Sequence, residues 1–410
     1  MATMFGGIPL KGEDGTRKSG AIFDLNQAPS SDHSLSVSSD WVVEVRKGLH
    51  YAIAHSPLNL ALDQALEGGI NAVQQALDLL CVAEHQRLQA QNFEREHIVW
   101  FEEAERNILR ATTVSGLSMS VSASVKVTHA DGTAEEPDLT PIPAWHECFR
   151  YYRLAQVTDD PFDAFRNLWL SLELALSLKS AKNPGEREVD WIKRVGQMLE
   201  GSLPKTAWPS NGANPIQDLV DDHYIDTRCR LFHAKDNKSR LNPHVTTDRR
   251  IVVARFGTLQ PFVREVLAEV AGAPRGGGVV TYQGFQRLMQ TAYGDGLILL
   301  SASLDSLEPD ETVASACWKN AEVVDGSRMV DKCRPGLELW GSRVDTNGLT
   351  PLKICRIGLA SKGRDGTAKV LYTSSARSAM LELEQDFDEF EPVCGVELVN
   401  QSSPRARFLL

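Results

Sequence analysis

Two kinds of apolar periodicity alternate along this 410-residue chain, and they predict where helices and strands lie. Apolar residues recur at helical spacing over residues 70–80, directly after a Gly68-Gly69 pair that we interpret as a break. Residues 92–110 are dense in charge and favour either an amphipathic helix or a lead-in to a strand. Residues 117–127 alternate apolar with polar side chains, which predicts a strand with one buried face.

A long helical region is predicted after the proline-spaced segment 136–143, which we interpret as a linker. The segment from Phe162 to Leu176 is apolar around much of its circumference and starts after Asp160-Pro161, as is typical of a helix in a bundle core. Around a long loop at residues 201–215, three more helices are predicted over residues 186–200, 216–235 and 259–270. Four such helices fit a helical bundle.

The predicted fold class is a multidomain α+β protein with a central helical bundle. Residues 1–38 are rich in Gly, Ser and Asp and lack sustained periodicity, which favours a disordered tail. Beyond the bundle, strand-like pieces at 279–282, 337–340 and 370–372 alternate with Gly/Asp turns. The predicted order after the tail is an α/β region over 39–144, the bundle over 145–272, a Gly-rich joint over 273–278 and a mixed β-rich domain over 279–410.

The distribution of charge narrows the classes of partner. A net charge of −11 argues against broad binding to duplex nucleic acid, which needs many phosphate contacts. Residues 228–250 nevertheless carry seven basic side chains against two acidic ones. This island is either a solvated helix end or a surface suited to a short single-stranded polyanion.

The cysteines, histidines and apolar runs favour a metal-free cytoplasmic protein. Seven scattered cysteines form no CxxC pair, and the histidines form no HExxH motif, so we expect reduced thiols and no structural metal. The apolar runs are too short to cross a bilayer, and the first residues do not resemble a secretory signal. We therefore expect a cytoplasmic location and no membrane partner.

Arg228 and His233 carry the most distinctive chemistry in the chain. An arginine can hold a phosphate, and a histidine can move a proton near neutral pH. RNA supplies its own nucleophile, the 2′-OH, so such a pair can cleave RNA without a metal. On an α-helix, residues five apart differ by about 140° in direction, so the arginine has to curl toward the histidine. The alternative interpretation is a surface helix with ordinary charges.

The bundle resembles HEPN domains, whose family mark is an arginine followed by a histidine after four to six residues on a late helix. Here the motif runs from Arg228 to His233 and continues with Ala234-Lys235, and Phe165–Glu173 resembles the first core helix of the family. The arrangement is also similar to bacterial methylamine-utilisation accessory proteins of the J type. The resemblance is best over residues 145–270, extends back to about residue 66 and does not cover the last 130 residues.

The resemblance implies a metal-independent endoribonuclease that cleaves single-stranded RNA through attack of the 2′-OH. It implies no cofactor, RNA as partner, and a symmetric homodimer or internal pseudo-dimer that brings two motifs to one cleft. It also implies an effector in phage defence or a toxin-like system, with a protein trigger or regulator as a further partner. Two alternatives stay open: a catalytically silent HEPN module that binds RNA or protein, and a processing accessory factor.

The candidate site residues follow from the motif and its surroundings. Glu173 is the only charge between Arg166 and Lys179 on a largely apolar helix, so it either pairs with Arg228 or faces solvent. The predicted catalytic residues are Arg228, His233 and Glu173, with Arg230, Lys235, Lys238 and Asn167 as RNA-binding candidates. We interpret His223 as structural. Cys229 departs from the polar residue, commonly Asn, that often follows the motif arginine, which puts the fine positioning of a phosphate in doubt.

Overall fold

The described residues of the protein fall into two compact units. A computed structural model describes residues 2–12, 15–91, 93, 95–117, 127–129, 131–135, 143–158, 160–210, 212–232, 240–243, 245–274, 282–294, 296–308, 322–329, 336–348, 352–362, 367–374 and 380–398. The first unit draws on Met1–Ser118 and Tyr282–Val399, and the second on Met119–Thr281. The protein is thus a multi-unit mixture of helices and sheets, as the pattern predicts.

The first unit is built mainly from strands. Its two longer helices are α1 (Leu62–Glu84) and α8 (Tyr282–Tyr293). Its strands are β1 (Met4–Phe5), β2 (Ile8–Pro9), β3 (Ser19–Leu25), β4 (His33–Ser36), β5 (Val42–Val45), β6 (Tyr51–Ser56), β7 (Ala90–Gln91), β8 (Glu96–Glu103), β9 (Arg106–Leu117), β12 (Gly296–Ser301), β13 (Glu322–Asp325), β14 (Ser327–Arg328), β15 (Leu337–Gly341), β16 (Val344–Asp345), β17 (Leu352–Ile354), β18 (Arg356–Lys362), β19 (Ala368–Thr373), β20 (Leu381–Leu383) and β21 (Glu389–Leu398). Strands β10 and β11 belong to the second unit.

An 11-stranded sheet joins the two ends of the chain in this unit. Its main path runs β14-β15-β21-β9-β8-β3-β6-β5-β4. Strand β21 pairs in parallel with β9, from Glu389 opposite Ile108 to Leu398 opposite Leu117. Smaller sheets run β13-β12-β18-β19 and β17-β20-β1-β2. We predicted an N-terminal α/β domain and a separate C-terminal β-rich domain. This division is wrong, because strands from both segments form one sheet.

The prediction of a disordered tail over residues 1–38 is also wrong. Strands β1 to β4 lie within this segment, and β3 pairs with β6 on one side and β8 on the other. Ala21, Ile22 and Phe23 are buried in β3. A strand that is covered on both faces does not alternate apolar with polar residues. The sequence of β3 therefore showed no strand signal, and the surrounding Gly, Ser and Asp residues favoured the prediction of a disordered tail.

Helix α1 contains the predicted helix over 70–80, but it runs through the glycine pair that we interpreted as a break. A Cβ at Gly68 would lie 2.5 Å from a ring carbon of Trp41, and one at Gly69 would lie 2.9 Å from the Cβ of Ala21. The two glycines therefore allow the helix to pack closely on the sheet.

Residues 96–117 form a β-hairpin in place of the amphipathic helix that was one interpretation of residues 92–110. Strands β8 and β9 pair in antiparallel register, and Ala104 and Glu105 turn between them with φ of 50° and 64°. Two successive positive φ angles are typical of the tight turn that matches the twist of a hairpin. Strand β9 ends at Leu117, so most of the predicted strand over 117–127 lies outside the described residues.

The second unit contains the helices predicted for residues 145–272. Its elements are β10 (Val127–Thr128), β11 (Ala134–Glu135), α2 (Glu147–Val157), α3 (Pro161–Lys179), α4 (Glu188–Glu200), α5 (Pro215–Asp218), a π-helix (Leu219–Cys229), α6 (Arg230–Phe232) and α7 (Thr246–Ala271). A short 3₁₀ turn at Lys205–Ala207 interrupts the long loop. Helix α7 is longer than the predicted 259–270 and contains Pro261. Most of the linker at 136–143 and most of the joint at 273–278 lie outside the described residues.

The core of the second unit is formed mainly by large apolar side chains from α3, α4 and α7. Phe165, Trp169 and Leu172 of α3 are fully buried and belong to one apolar cluster with Val195 of α4 and Phe262 of α7. Burial of such side chains contributes about 1.5–3 kcal/mol each. No helix in the described part of the chain is long and apolar enough to cross a membrane.

Candidate functional site

The segment that carries Arg228 is a continuous helical stretch over residues 215–232, here called the motif segment. Asn214 caps its start by accepting a hydrogen bond from the Gln217 N–H at 3.1 Å, and Pro215 occupies the first helical position. The middle of the segment is a π-helix, not the regular α-helix that we predicted. The segment is described as far as Phe232, so His233, Lys235 and Lys238 lie outside the described residues.

The π-helix changes which side chains share a face. Its hydrogen bonds join residues five apart, so such residues lie about one turn apart and not about 140° out of line. The Thr227 hydroxyl accordingly donates to the Asp222 carbonyl, five residues earlier, at 2.7 Å. The Tyr224 hydroxyl and the Cys229 thiol are neighbours at the same spacing. Our estimate of the angle between Arg228 and His233 assumed α-helical geometry. That assumption fails at the start of this stretch, because the π-helix extends to Cys229.

Helix α3 presents Glu173 to the motif segment. Asp160 caps the helix by accepting from Phe162 N at 2.8 Å, and Pro161 is its first residue. The apolar face of α3 points into the core, and Glu173 follows Trp169 by four residues. The Trp169 indole donates to the Glu173 carboxylate at 2.6 Å, which fixes the direction of that carboxylate.

Glu173 and Arg228 form an ion pair, as we expected from the lone carboxylate. The Arg228 Nη2 donates to Glu173 Oε1 at 3.3 Å, with side-chain exposures of 24 % and 21 %. Burial raises the pKa of the Glu173 carboxyl above its ordinary value, although the Trp169 and Arg228 contacts act to lower it. Glu188 adds a smaller raising effect through repulsion. The carboxylate of Glu173 thus has a fixed orientation, and its contacts with Trp169 and Arg228 offset only part of the cost of burying its charge.

Two aromatic rings of the motif segment flank the Arg228 guanidinium. Its central carbon lies 4.8 Å from the ring centroid of Phe232 and 5.5 Å from that of Tyr224. Cation–π contacts of this kind contribute about 0.5–1 kcal/mol at exposed sites. Burial, and then the Cys229 thiol, raises the pKa of Tyr224 to about 12, so the phenol is neutral at physiological pH. The guanidinium is therefore held in a defined place at the surface of the unit.

Arg166 is a second guanidinium beside the end of the motif segment. Its Nη2 donates to the Leu231 carbonyl at 3.1 Å, and its Nη1 donates to Asp163 at 2.8 Å. Its central carbon lies 5.9 Å from the ring centroid of Phe232. Arg166 thus ties α3 to the backbone just before His233.

Two other predicted RNA-binding residues are not drawn into the contacts around Arg228 that the described residues show. The Asn167 amide donates to the Asp163 carbonyl on its own helix at 2.9 Å. The Arg230 side chain is half-buried, and its Nε has no hydrogen-bond partner among the described residues. These contacts do not test the RNA-binding role of Asn167 and Arg230, which stays a prediction.

His223 is fully buried in the π-helix, which agrees with its interpretation as structural. Its ring nitrogens lack a well-formed hydrogen bond among the described residues. Burial, and then the nearby Arg255 charge, lowers the pKa of His223 to about 4. The imidazole is therefore neutral near pH 7 and serves as part of the core.

Glu173 also lines a surface pocket of about 360 Å³. We call it the acidic pocket, because its charged lining residues are Glu147, Glu173, Glu188 and a single lysine, Lys182. The Lys182 ammonium donates to Glu188 at 2.7 Å. Glu173 is the residue that the pocket and the Arg228 ion pair share.

The sequence reasoning missed the aromatic and guanidinium neighbours of Arg228. Tyr224 and Phe232 lie four residues before and after Arg228, and residues four apart on a helix are neighbours, so this spacing could have indicated them. Arg166 lies in the segment that we compared with the first core helix of the HEPN family. The residues of the acidic pocket come from three helices and the loop between α3 and α4, so no local pattern points to them.

Comparison with known families agrees with part of the resemblance. Residues 148–269 match the family described as methylamine utilization protein MauJ. No curated protein and no solved structure matches the chain. The match covers the helices of the second unit that carry Glu173 and Arg228, so this part of the chain is similar to MauJ proteins.

Proposed function

We propose that the second unit is a HEPN-type, metal-independent endoribonuclease acting on single-stranded RNA. The observation that carries the proposal is the placement of Arg228, which is held at the surface by Glu173 at 3.3 Å and by two aromatic rings. A partly exposed guanidinium with fixed orientation is suited to gripping a phosphate. The family resemblance supplies the link from this arrangement to RNA.

In the proposed reaction, His233 removes the proton of a ribose 2′-OH, and the oxygen attacks the adjacent phosphorus. The P–O5′ bond breaks, and the leaving oxygen takes a proton from an imidazolium. The products are a 2′,3′-cyclic phosphate and a 5′-OH. Arg228 stabilises the charge that develops on the phosphoryl oxygens, and Glu173 orients the guanidinium until a phosphate replaces the carboxylate.

One motif supplies one histidine, whereas the reaction needs both a base and an acid. A homodimer with two motifs in one cleft provides both, which is why the proposal includes a symmetric dimer. Specific activity should then fall when the protein is diluted below the dissociation constant of the dimer. The proposed setting in phage defence or a toxin-like system rests on the resemblance alone, as does a protein trigger.

A second candidate function is a silent module that binds RNA or protein. The observation that favours it is that Glu173 and the two rings already engage the Arg228 guanidinium, as a purely structural arginine would be engaged. An accessory role, as the name of the J-type proteins suggests, belongs with this alternative.

The test is cleavage of a labelled single-stranded RNA in the presence of EDTA. We expect wild-type protein to produce cyclic-phosphate ends, and His233→Ala to be about 10²–10⁴-fold slower, the range typical of a lost general acid–base group. Arg228→Ala should also lose cleavage. Arg187→Ala is a matched control, because its side chain is 81 % exposed on the same unit. RNA binding without cleavage by all four proteins would favour the silent module.

A further inference from the structure

Helix α3 holds the motif segment through Arg166 as well as through Glu173. Glu173 binds the Arg228 guanidinium directly. Arg166 lies seven residues earlier, about two turns away on the same face of α3, and its Nη2 donates to the Leu231 carbonyl at 3.1 Å. A charge-assisted hydrogen bond of this kind is stronger than a neutral one. Because it ends on a main-chain oxygen, it restrains the backbone of the motif segment three residues after Arg228.

Phe232 connects the two guanidinium groups. The central carbon of Arg166 lies 5.9 Å from the centroid of this ring, and that of Arg228 lies 4.8 Å from it. The peptide group that contains the Leu231 carbonyl is planar and ends at the Cα of Phe232. Arg166 therefore restrains both the main chain that enters Phe232 and its ring. Asp163 accepts from Arg166 Nη1 at 2.8 Å, which in turn restrains the direction of this arginine.

The Nε atom of Arg228 provides an independent observation. It is buried, and it has no hydrogen-bond partner among the described residues. Nε is bonded to the carbon that lies 4.8 Å from the Phe232 ring centroid and 5.5 Å from that of Tyr224. Packing of these rings, and not a hydrogen bond, therefore shields the Nε–H from water. A contact that fixes the Phe232 ring also fixes this end of the Arg228 side chain.

We propose that Arg166 is a positioning residue for Arg228 in the proposed ribonuclease, and this role rests on that function. Arg166 acts through Phe232, whose ring it fixes against the Arg228 guanidinium. In the proposed reaction a phosphate replaces the Glu173 carboxylate, so the ion pair no longer orients Arg228 at that step. The ring of Phe232, together with that of Tyr224, then keeps the guanidinium in place.

The first part of the test needs no RNA. Heteronuclear NMR of the full-length protein measures how fast the Arg228 Nε–H exchanges with solvent. We expect Arg166→Ala to accelerate this exchange at least about tenfold, because loss of a hydrogen bond from a charged donor frees the Phe232 ring for local opening. Phe232→Leu should also accelerate it. Adding Arg166→Ala to Phe232→Leu should have little further effect, since residues that act through one contact are not additive.

Arg187→Ala is the matched control for Arg166→Ala. Arg187 also pairs with a carboxylate three residues away, that of Asp190, at 2.7 Å. Its side chain is 81 % exposed, and in the described part of the chain its ion pair stays within α4 and its first residues. We expect this variant to leave the exchange of the Arg228 Nε–H unchanged. Arg166→Ala should keep its fold, because the Leu231 side chain stays buried in the apolar core.

The second part of the test is single-turnover cleavage of the labelled RNA. We expect Arg166→Ala to cleave about ten- to a hundredfold more slowly, the range typical of a misplaced catalytic group. Its affinity for a 2′-O-methyl RNA, which lacks the nucleophile, should change much less, because Arg228 keeps its charge. A loss of affinity as large as the loss of rate would show that Arg166 binds RNA itself, and the positioning role would be wrong.

Two results of the exchange measurement would also overturn the proposal. They are unchanged exchange of the Arg228 Nε–H in Arg166→Ala, and fully additive effects of Arg166→Ala and Phe232→Leu. A wild-type protein that does not cleave RNA contradicts the ribonuclease proposal, whereas the exchange rates still decide whether Arg166 holds Arg228 in place. A wild-type protein that cleaves, with exchange unchanged in Arg166→Ala, contradicts the positioning role alone.

Discussion

The two units differ in the distance along the chain over which their contacts form. In the second unit, helices that follow one another within residues 147–271 build the core, and the pattern of apolar residues predicts most of them. In the first unit, strand β9 pairs with β21, so that Arg110 lies opposite Glu391. The buried face of a helix can be predicted from residues that are close together in the sequence. The pairing of strands in a sheet depends on partners far along the chain, which a short stretch of sequence does not contain.

The largest expected effect comes from the core of the locally built unit. Trp169→Ala should reduce the free energy of unfolding by about 3–5 kcal/mol, because it leaves a cavity in a closely packed core. It also removes the indole donor of Glu173. Hydrogen exchange should show faster exchange of amides in α3, α4 and α7, and unchanged exchange in the strands of the first unit.

Trp145→Ala is the matched control, because this tryptophan lies in the same unit and is 75 % exposed. We expect it to change stability by less than about 0.5 kcal/mol. Equal acceleration of exchange in both units after Trp169→Ala would show that they unfold together, and the comparison between two independent units would fail.

The next prediction tests the long-range pairing of the first unit. Arg110 on β9 and Glu391 on β21 form an ion pair at 2.7 Å, with side chains only 11 % and 5 % exposed. Arg343 Nε also lies 3.4 Å from Glu391 Oε1. Arg110→Met should therefore destabilise the first unit by about 1–3 kcal/mol, because the buried carboxylate loses one of these two guanidinium partners. Chemical denaturation should report the loss.

Arg110→Met combined with Glu391→Met should recover much of that stability, since replacing both members of a buried pair by apolar residues is often neutral. Lys47→Met, at an exposed position of the same unit, is the control. If the single and double variants were equally unstable, the loss would come from packing and not from the lost Arg110–Glu391 pairing.

The third prediction concerns pH and separates the units again. His223 of the second unit has a folded-state pKa lowered to about 4, against about 6.5 when unfolded. The unfolded state therefore binds the proton more readily, and the stability of the second unit should fall as pH falls from about 6.5 to about 4, by up to about 3 kcal/mol. Denaturation between pH 7 and 5.5 measures the first part of this slope above the range of ordinary carboxyl groups.

His223→Leu should flatten that slope, and the exposed His50→Leu, in the first unit, should leave it unchanged. A slope that persists in His223→Leu would show that another group titrates in this window, and the buried imidazole would lose its assigned effect.

Parts of the candidate site could be predicted because they follow from local rules. A lone carboxylate on an apolar helix needs a partner, and Glu173 has one in Arg228. The π-helix could not be predicted, because the apolar spacing of residues 216–232 fits a regular helix equally well. We wrongly interpreted Gly68-Gly69 as a helix break, because the sequence does not show what these glycines contact. Only the packing against Trp41 and Ala21 shows why they are needed.

The smallest expected effect is a gain in stability within the locally built unit. Gly257 lies inside α7, and a Cβ there would have no neighbour within 4 Å. Gly257→Ala should therefore stabilise the second unit by about 0.5–1 kcal/mol, because glycine loses more backbone freedom than alanine in a helix.

Gly196→Ala in α4 has the same helix propensity gain, but its Cβ would lie 3.2 Å from Ile216. If propensity alone governs this unit, both substitutions stabilise it equally. If packing between α4 and the motif segment limits it, only Gly257→Ala does, and thermal unfolding of the two variants distinguishes these cases.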